Sequence, residues 1–190
     1  YLAAILLAPY VASMGSSKML SEGELNVYSA RKEHLIKPLL DRFSEANNIK
    51  INLVTAKGDA LLARLKAEGV NSPADVFLTV DAGRLHRAQL AGAFQPIKSA
   101  LLQQSIPAHL RSDKDEWFGL STRVRVIVYA KDRVDADRLS TYESLSSAEW
   151  KGRICVRSSG NIYNQSLVAS MLATRGLSHT EQWLNGFTKN

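Results

Sequence analysis

The stretch LNVYSARKEHLIKPLLDRFSEANNIKINLVTA, residues 25–56, decides the fold. LNVYSA, at 25–30, reads as a strand. HLIKPLLDRFSEAN, at 34–47, then sets Leu35, Ile36, Leu39, Leu40 and Phe43 on one side at helical spacing, and KINLVTA, at 50–56, follows as a second strand. Working outward, GDALLARLKAEG at 58–69 is another amphipathic helix, with Gly69 in a typical C-terminal position. NSPADVFLTVD, at 71–81, supplies a loop and a third strand, and Asp81 is placed to cap the helix AGRLHRAQLAG in preference to serving as a ligand carboxylate. Alternation of strand and helix predicts a parallel sheet with ligands at the strand ends.

The remainder is less regular. Residues 94–118, FQPIKSALLQQSIPAHLRSDKDEWF, contain prolines and a charged, turn-prone patch, and read as irregular structure closing the first lobe. GLSTRVRVIVYAKDRV, at 119–134, predicts a strand with Arg123, Arg125, Ile127 and Tyr129 on one face and Val124, Val126 and Val128 on the other. Arginines at its start suit an anion at a cleft, because a guanidinium is a rigid fork of donors; ordinary salt bridges are the competing role. LSTYESLSSAEWKGRICVRSSGNIYNQSLVASMLATRG, at 139–176, predicts a short helix, a strand at ICVRS, a polar loop and a helix ending near Gly176. HTEQWLNGFTKN predicts a final helix. Tyr163 stands where the polar loop enters its helix, a place from which a phenol reaches a ligand.

Composition narrows the function. The 190 residues are 45% hydrophobic, enough for one good core or two small lobes. Lysine and arginine exceed aspartate and glutamate by 24 to 18, a net +6, but the charges are scattered among acids and give nucleic-acid binding no specific support. The single cysteine, Cys155, can make no intramolecular disulfide and reads as a small core residue. The opening YLAAILLAPYVASMGSSKM carries no charge before Lys18 and ends in small residues, resembling a secretory signal without its basic start; a core helix is the other reading. Histidines 34, 86, 109 and 179 lack metal-ligand spacing and read as surface residues, and no phosphate or dinucleotide glycine loop occurs. Asp113 and Asp115 sit in a hydrophilic turn with no apolar setting. Nothing recommends an enzyme.

Ordered along the chain, LNVYSARKEHLIKPLLDRF, NSPADVFLTVDAGRLHRAQLAGAFQPI, IPAHLR, WFGLSTRVRVIVY, YESL, WKGRICVRSS and NIYNQSLVASMLA resemble the periplasmic ferric-iron-binding proteins of bacterial ABC transporters. The resemblance implies an α/β, two-lobed periplasmic-binding-protein fold: mixed sheets flanked by helices, with a hinge between the lobes. It divides the chain into a leader at 1–24, a first lobe at 25–123, and a crossing strand and incomplete second lobe at 124–190. Fe(III) would be held in the cleft by a protein that is secreted to the periplasm, is monomeric, and delivers iron to an inner-membrane permease and its ATPase.

Fe(III) is a hard cation that prefers anionic oxygen, and a metal's field removes the proton of a phenol whose reference pKa is about 10. Phenolate also holds haem iron. Tyr163 matches the first of the family's second-lobe tyrosine ligands. Some members carry Arg-His-Tyr after the first strand, where this chain has Arg31, Lys32 and Glu33, and others carry a glutamate where Val80 stands. The resemblance therefore implies iron on second-lobe tyrosine, with Glu33 as a possible further ligand. It also implies carbonate or a similar synergistic anion on Arg31 and Arg123, with Lys32 and Arg125 as weaker anion contacts. An adjacent tyrosine pair of the family is not reached, so the chain is expected to be a fragment that binds iron weakly. Binding of an oxyanion or small organic anion is the alternative function.

Overall fold

The computed structural model describes residues 23–190, so the leader expected at 1–24 lies almost wholly outside the described residues. Its contacts divide the chain after Leu120 into two units.

The first unit is built on a three-stranded parallel sheet. Strand β1 (Gly23–Ser29) is central, flanked by β2 (Ile49–Thr55) and β3 (Val76–Leu78). The register pairs Gly23 with Ile49 through Ser29 with Thr55 on one edge, and Val27 with Val76 through Ser29 with Leu78 on the other. Helix α1 (Glu33–Asn47) connects β1 to β2, and α2 (Gly58–Glu68) connects β2 to β3 across β1. Because these right-handed crossovers run in opposite directions, their helices cover opposite faces, which is why Val27, Tyr28 and Ser29 are all buried. Tyr28, Leu61 and Leu65 form the core, with Ala30, Val54, Ala74 and Phe77 packed against it.

Local chemistry explains the boundaries. Helix α1 buries Ile36 and turns Leu40 and Phe43 partly inward, whereas Leu35 and Leu39 face solvent; the apolar stripe is thus narrower than the pattern predicts. It stops at Asn48 in the left-handed conformation, and α2 stops at Gly69, where φ is +54°. Helix α3 (Ala82–Leu90) begins at Asp81, whose Oδ1 accepts the Gly83 N–H at 3.0 Å, the capping role expected from sequence. Arg84 binds both carboxylate oxygens of Asp59 at 3.0 Å and donates to the Val80 carbonyl at 3.2 Å, tying the starts of α2 and α3 together. A β-carbon on Gly58 would fall 2.9 Å from the Arg84 side chain and 3.0 Å from the Thr79 hydroxyl, so a larger residue here would oblige the Arg84 side chain to shift. The stretch expected to be irregular contains α4 (Ala100–Ser105), capped by Ser99, and one isolated bridge between Arg111 and Phe118.

The second unit is helical. Helices α5 (Ile162–Arg175) and α6 (Leu177–Phe187) meet at Gly176 and pack together, and α6 also packs on the 3-10 turn at Glu143–Ser146, which a second 3-10 turn at Ala148–Trp150 follows. Trp183 stacks on Phe187 at 4.8 Å and donates its indole N–H to the Tyr142 carbonyl at 2.8 Å. Leu145, Trp150, Ile162 and Met171 are also buried.

Here the structure corrects the sequence reading. The crossing strand expected from residue 119 onward and the strand expected at ICVRS are both absent, and the short helix expected near 145 consists of 3-10 turns. A strand exists only through ladder hydrogen bonds, and among the described residues no segment pairs with either stretch. Val124, Val126 and Val128, expected to face a core, are 84%, 66% and 86% exposed. Cys155 is exposed too, for the same reason.

Candidate functional site

In the second unit the loop before α5 returns on itself. Asn161 is the N-cap, its Oδ1 accepting the Tyr163 N–H at 3.0 Å, which fixes the phenol on the first turn. Asn164 donates to the carbonyls of Arg157 and Ser158, and Gln165 to that of Ser159, so the first turn also holds the loop.

Three guanidinium groups gather on Tyr163. Arg123 Nη1 donates to the phenol oxygen at 3.2 Å. The guanidinium carbons of Arg125 and Arg157 lie 5.2 and 5.5 Å from the ring centroid, within range of cation–π attraction. Tyr163 is half-buried, while Arg123 and Arg157 are exposed. The structure thus brings together three residues singled out from sequence, Tyr163, Arg123 and Arg125, and adds Arg157, which sequence reasoning missed. The available signal was its place in RSSGNIY, the loop that delivers Tyr163.

The other candidates belong to the first unit. Arg31 follows β1, its N–H donating to the buried Ser29 hydroxyl at 3.2 Å, and its side chain is half exposed. It stands beyond the carboxyl ends of β1 and β3, where the strand order reverses, the place at which open α/β sheets bind ligands. Lys32 precedes α1 without a side-chain cap, and Glu33 is exposed in its first turn. All four histidines are exposed, and among the described residues no group of three or more histidine, cysteine, aspartate or glutamate side chains could hold a metal ion. Among the described residues no helix is long and apolar enough to cross a membrane.

Residues 71–190 match the model of a family described as bacterial extracellular solute-binding protein. Iron uptake protein A1 of Synechocystis sp. is 48% identical over 167 residues, covering 88% of this chain and 46% of the relative. The Fe(3+)-binding periplasmic protein of Serratia marcescens is 30% identical over 98% of this chain and 55% of its own length. Among solved structures, a Trichodesmium protein in complex with iron and citrate ligands superposes with a TM-score of 0.82 at 53% identity, over 88% of this chain and 53% of that one. The ferric binding protein of Campylobacter jejuni also gives 0.82, at 40% identity over 87% of this chain and 53% of its own. The chain therefore spans about half the length of the relatives it matches. These relatives are binding proteins rather than enzymes, and the two-lobed α/β fold expected from the sequence is the one their structures share. The chain belongs to the bacterial extracellular solute-binding protein family.

Proposed function

We propose that the chain is part of the extracytoplasmic binding component of an ABC importer for ferric iron, with Tyr163 as a phenolate ligand and an anion completing the metal's shell. The observation that carries this reading is the 3.2 Å bond from Arg123 to the Tyr163 oxygen, which sets an oxygen donor for a hard cation beside a fixed cation for its counter-anion. When iron takes the phenol oxygen, the Arg123 donor is released toward carbonate or a similar synergistic anion. In the first unit Arg31 is the candidate anion contact, with Lys32 as a weaker one and Glu33 as a possible further oxygen ligand. Relatives named as iron uptake and ferric-binding proteins support the cargo.

Delivery to an inner-membrane permease with its ATPase, a periplasmic location reached through an N-terminal signal, and a monomeric state complete the proposal. Binding of an oxyanion or small organic anion is the second reading, favoured by the guanidinium groups around Tyr163.

Equilibrium dialysis against Fe(III) with bicarbonate tests the first reading. Iron is expected to be retained only weakly by the chain, that weak retention is expected to be lost in Tyr163→Phe, and it should decline as pH falls, because the ligand must be deprotonated. Equal retention by Tyr163→Phe would overturn the role of Tyr163.

A further inference from the structure

Residues 119–130, GLSTRVRVIVYA, run without helix, turn or bend from the end of the first unit at Leu120 into the second. Among the described residues, neither 120–124 nor 126–129 makes a backbone hydrogen bond. Ser121, Thr122 and Arg123 are exposed, and Val124 is 84% exposed. An open, extended backbone of this kind is what the groove of an endoprotease binds, because the groove pairs with it as a further strand and reads alternate side chains in pockets.

We infer that this stretch is a cleavage site, cut between Arg123 and Val124 by an endoprotease whose specificity pocket takes arginine, and that Tyr163 guards the arginine. Cleavage needs no metal and goes beyond the ferric reading.

The backbone selects Arg123 among the basic residues. Lys131 and Arg133 share a turn in which the Arg133 and Val134 N–H groups both donate to the Ala130 carbonyl at 3.0 Å. The Arg153 N–H donates to the Trp150 carbonyl at 2.9 Å, and the Arg157 carbonyl accepts from Asn164. Lys98 follows Ile97, whose N–H is bonded to the Asp115 carbonyl at 2.9 Å. Cutting at any of these requires local opening first, whereas the backbone at Arg123 is already extended. Arg125, two residues on, is half-buried, with its guanidinium carbon 5.2 Å from the Tyr163 ring centroid.

The guard is the bond from Arg123 Nη1 to the Tyr163 phenol at 3.2 Å. The guanidinium must leave that oxygen before it enters a pocket, where a carboxylate would receive it. Hydrolysis then adds water across the bond between the Arg123 carbonyl carbon and the Val124 nitrogen, leaving a carboxylate on Arg123 and an amino group on Val124. Tyr28, Leu61 and Leu65 lie before the cut and Trp150 and Trp183 after it, so it passes through neither core. It ends the covalent tie between Arg123 and Tyr163, and one exposed hydrogen bond does not offset the entropy of holding two chains together.

Brief digestion of the full chain with trypsin at a low enzyme ratio, followed by intact mass spectrometry, tests both parts. The first products are expected to end at Arg123 and to begin at Val124. Arg123→Gln should slow loss of the intact chain about tenfold, the factor that an opening cost of about 1.4 kcal/mol imposes on the remaining sites. Tyr163→Phe keeps the ring but removes the acceptor, and should hasten the cut about two- to tenfold, with circular dichroism confirming retained helix.

A first cut elsewhere, or an unchanged rate in Arg123→Gln, would overturn the site. So would a cut after Arg123 whose rate rises with urea in step with global unfolding, because the segment would then be protected in the folded chain. An unchanged rate in Tyr163→Phe would overturn the guarding role.

Discussion

The two units bury apolar surface in different ways. In the first, β1 is paired along both edges and covered on both faces, so nearly every apolar residue at its carboxyl half reaches a core. In the second, residues 124–128 carry the alternation of a strand just as clearly, yet their valines face solvent and the core is made by helices and 3-10 turns around Trp183. Alternation is a property of one segment, whereas a ladder is a property of two, and only the second fixes which face is inside.

Truncating each core tests that contrast most directly. Trp183→Ala is expected to lower stability by about 3–5 kcal/mol and Leu61→Ala by about 2–5 kcal/mol, in urea unfolding followed by far-ultraviolet circular dichroism. A loss under about 1 kcal/mol for Trp183→Ala would show that the aromatic stack is not a core, since surface changes stay below that value. Next in size, Asn161→Ala removes the cap of α5 and should cost about 1 kcal/mol. The same variant should also loosen the hold on Tyr163, whose N–H the cap accepts, seen as weaker retention of iron; unchanged stability and retention together would mean the cap does not position Tyr163.

Alkali separates the units by direction. Burial, and then the Glu68 carboxylate that accepts its hydroxyl, push the Tyr28 phenol above its ordinary value. A raised folded value means the folded chain keeps a proton the unfolded chain has lost, so this contribution is complete below the ordinary tyrosine range and disappears as pH rises through the folded value. Tyr28→Phe should flatten that alkaline slope. On the acid side both units lose support. Ser72 and then Arg64 hold Glu68 below its usual range, while its own backbone N–H and then Thr141 do so for Glu143. Those contributions are present above the ordinary carboxylate value and decline as pH falls through the folded ones. Thermal melts across pH check both slopes, and an alkaline slope unchanged in Tyr28→Phe would remove this distinction.

The smallest expected effect is that of Val126→Thr, within about 0.5 kcal/mol, because the side chain is already exposed. A loss of 2 kcal/mol or more, beyond the usual range for surface substitutions, would show that the extended segment is packed after all.

The first unit was legible because its signals are local. Gly69 and Asp81 end and begin helices through their own backbone and side-chain chemistry, and the helical spacing in α1 needs no knowledge of partners, although partners decided that Ile36 and not Leu35 is buried. The expected strands at 119–134 and 154–158 failed because pairing is non-local, and the exposure of Cys155 followed from that failure. At the site, the helix start delivering Tyr163 was readable from the polar loop before it. Arg157 was hidden because its approach to the ring depends on how that loop folds back, through Asn164 and Gln165, and no spacing rule reports such a return.

The central place of β1 also has a consequence in time. During synthesis it leaves the ribosome before either neighbour, so both of its edges stay open until β2 and then β3 emerge, and the ladder first closes at Leu78. A nascent chain halted between Thr55 and Val76 carries a half-dressed sheet whose bare β1 edge can pair with other chains. Pulse proteolysis of ribosome-bound chains halted so that β3 is either inside or outside the exit tunnel should find resistance beginning only once Leu78 is outside.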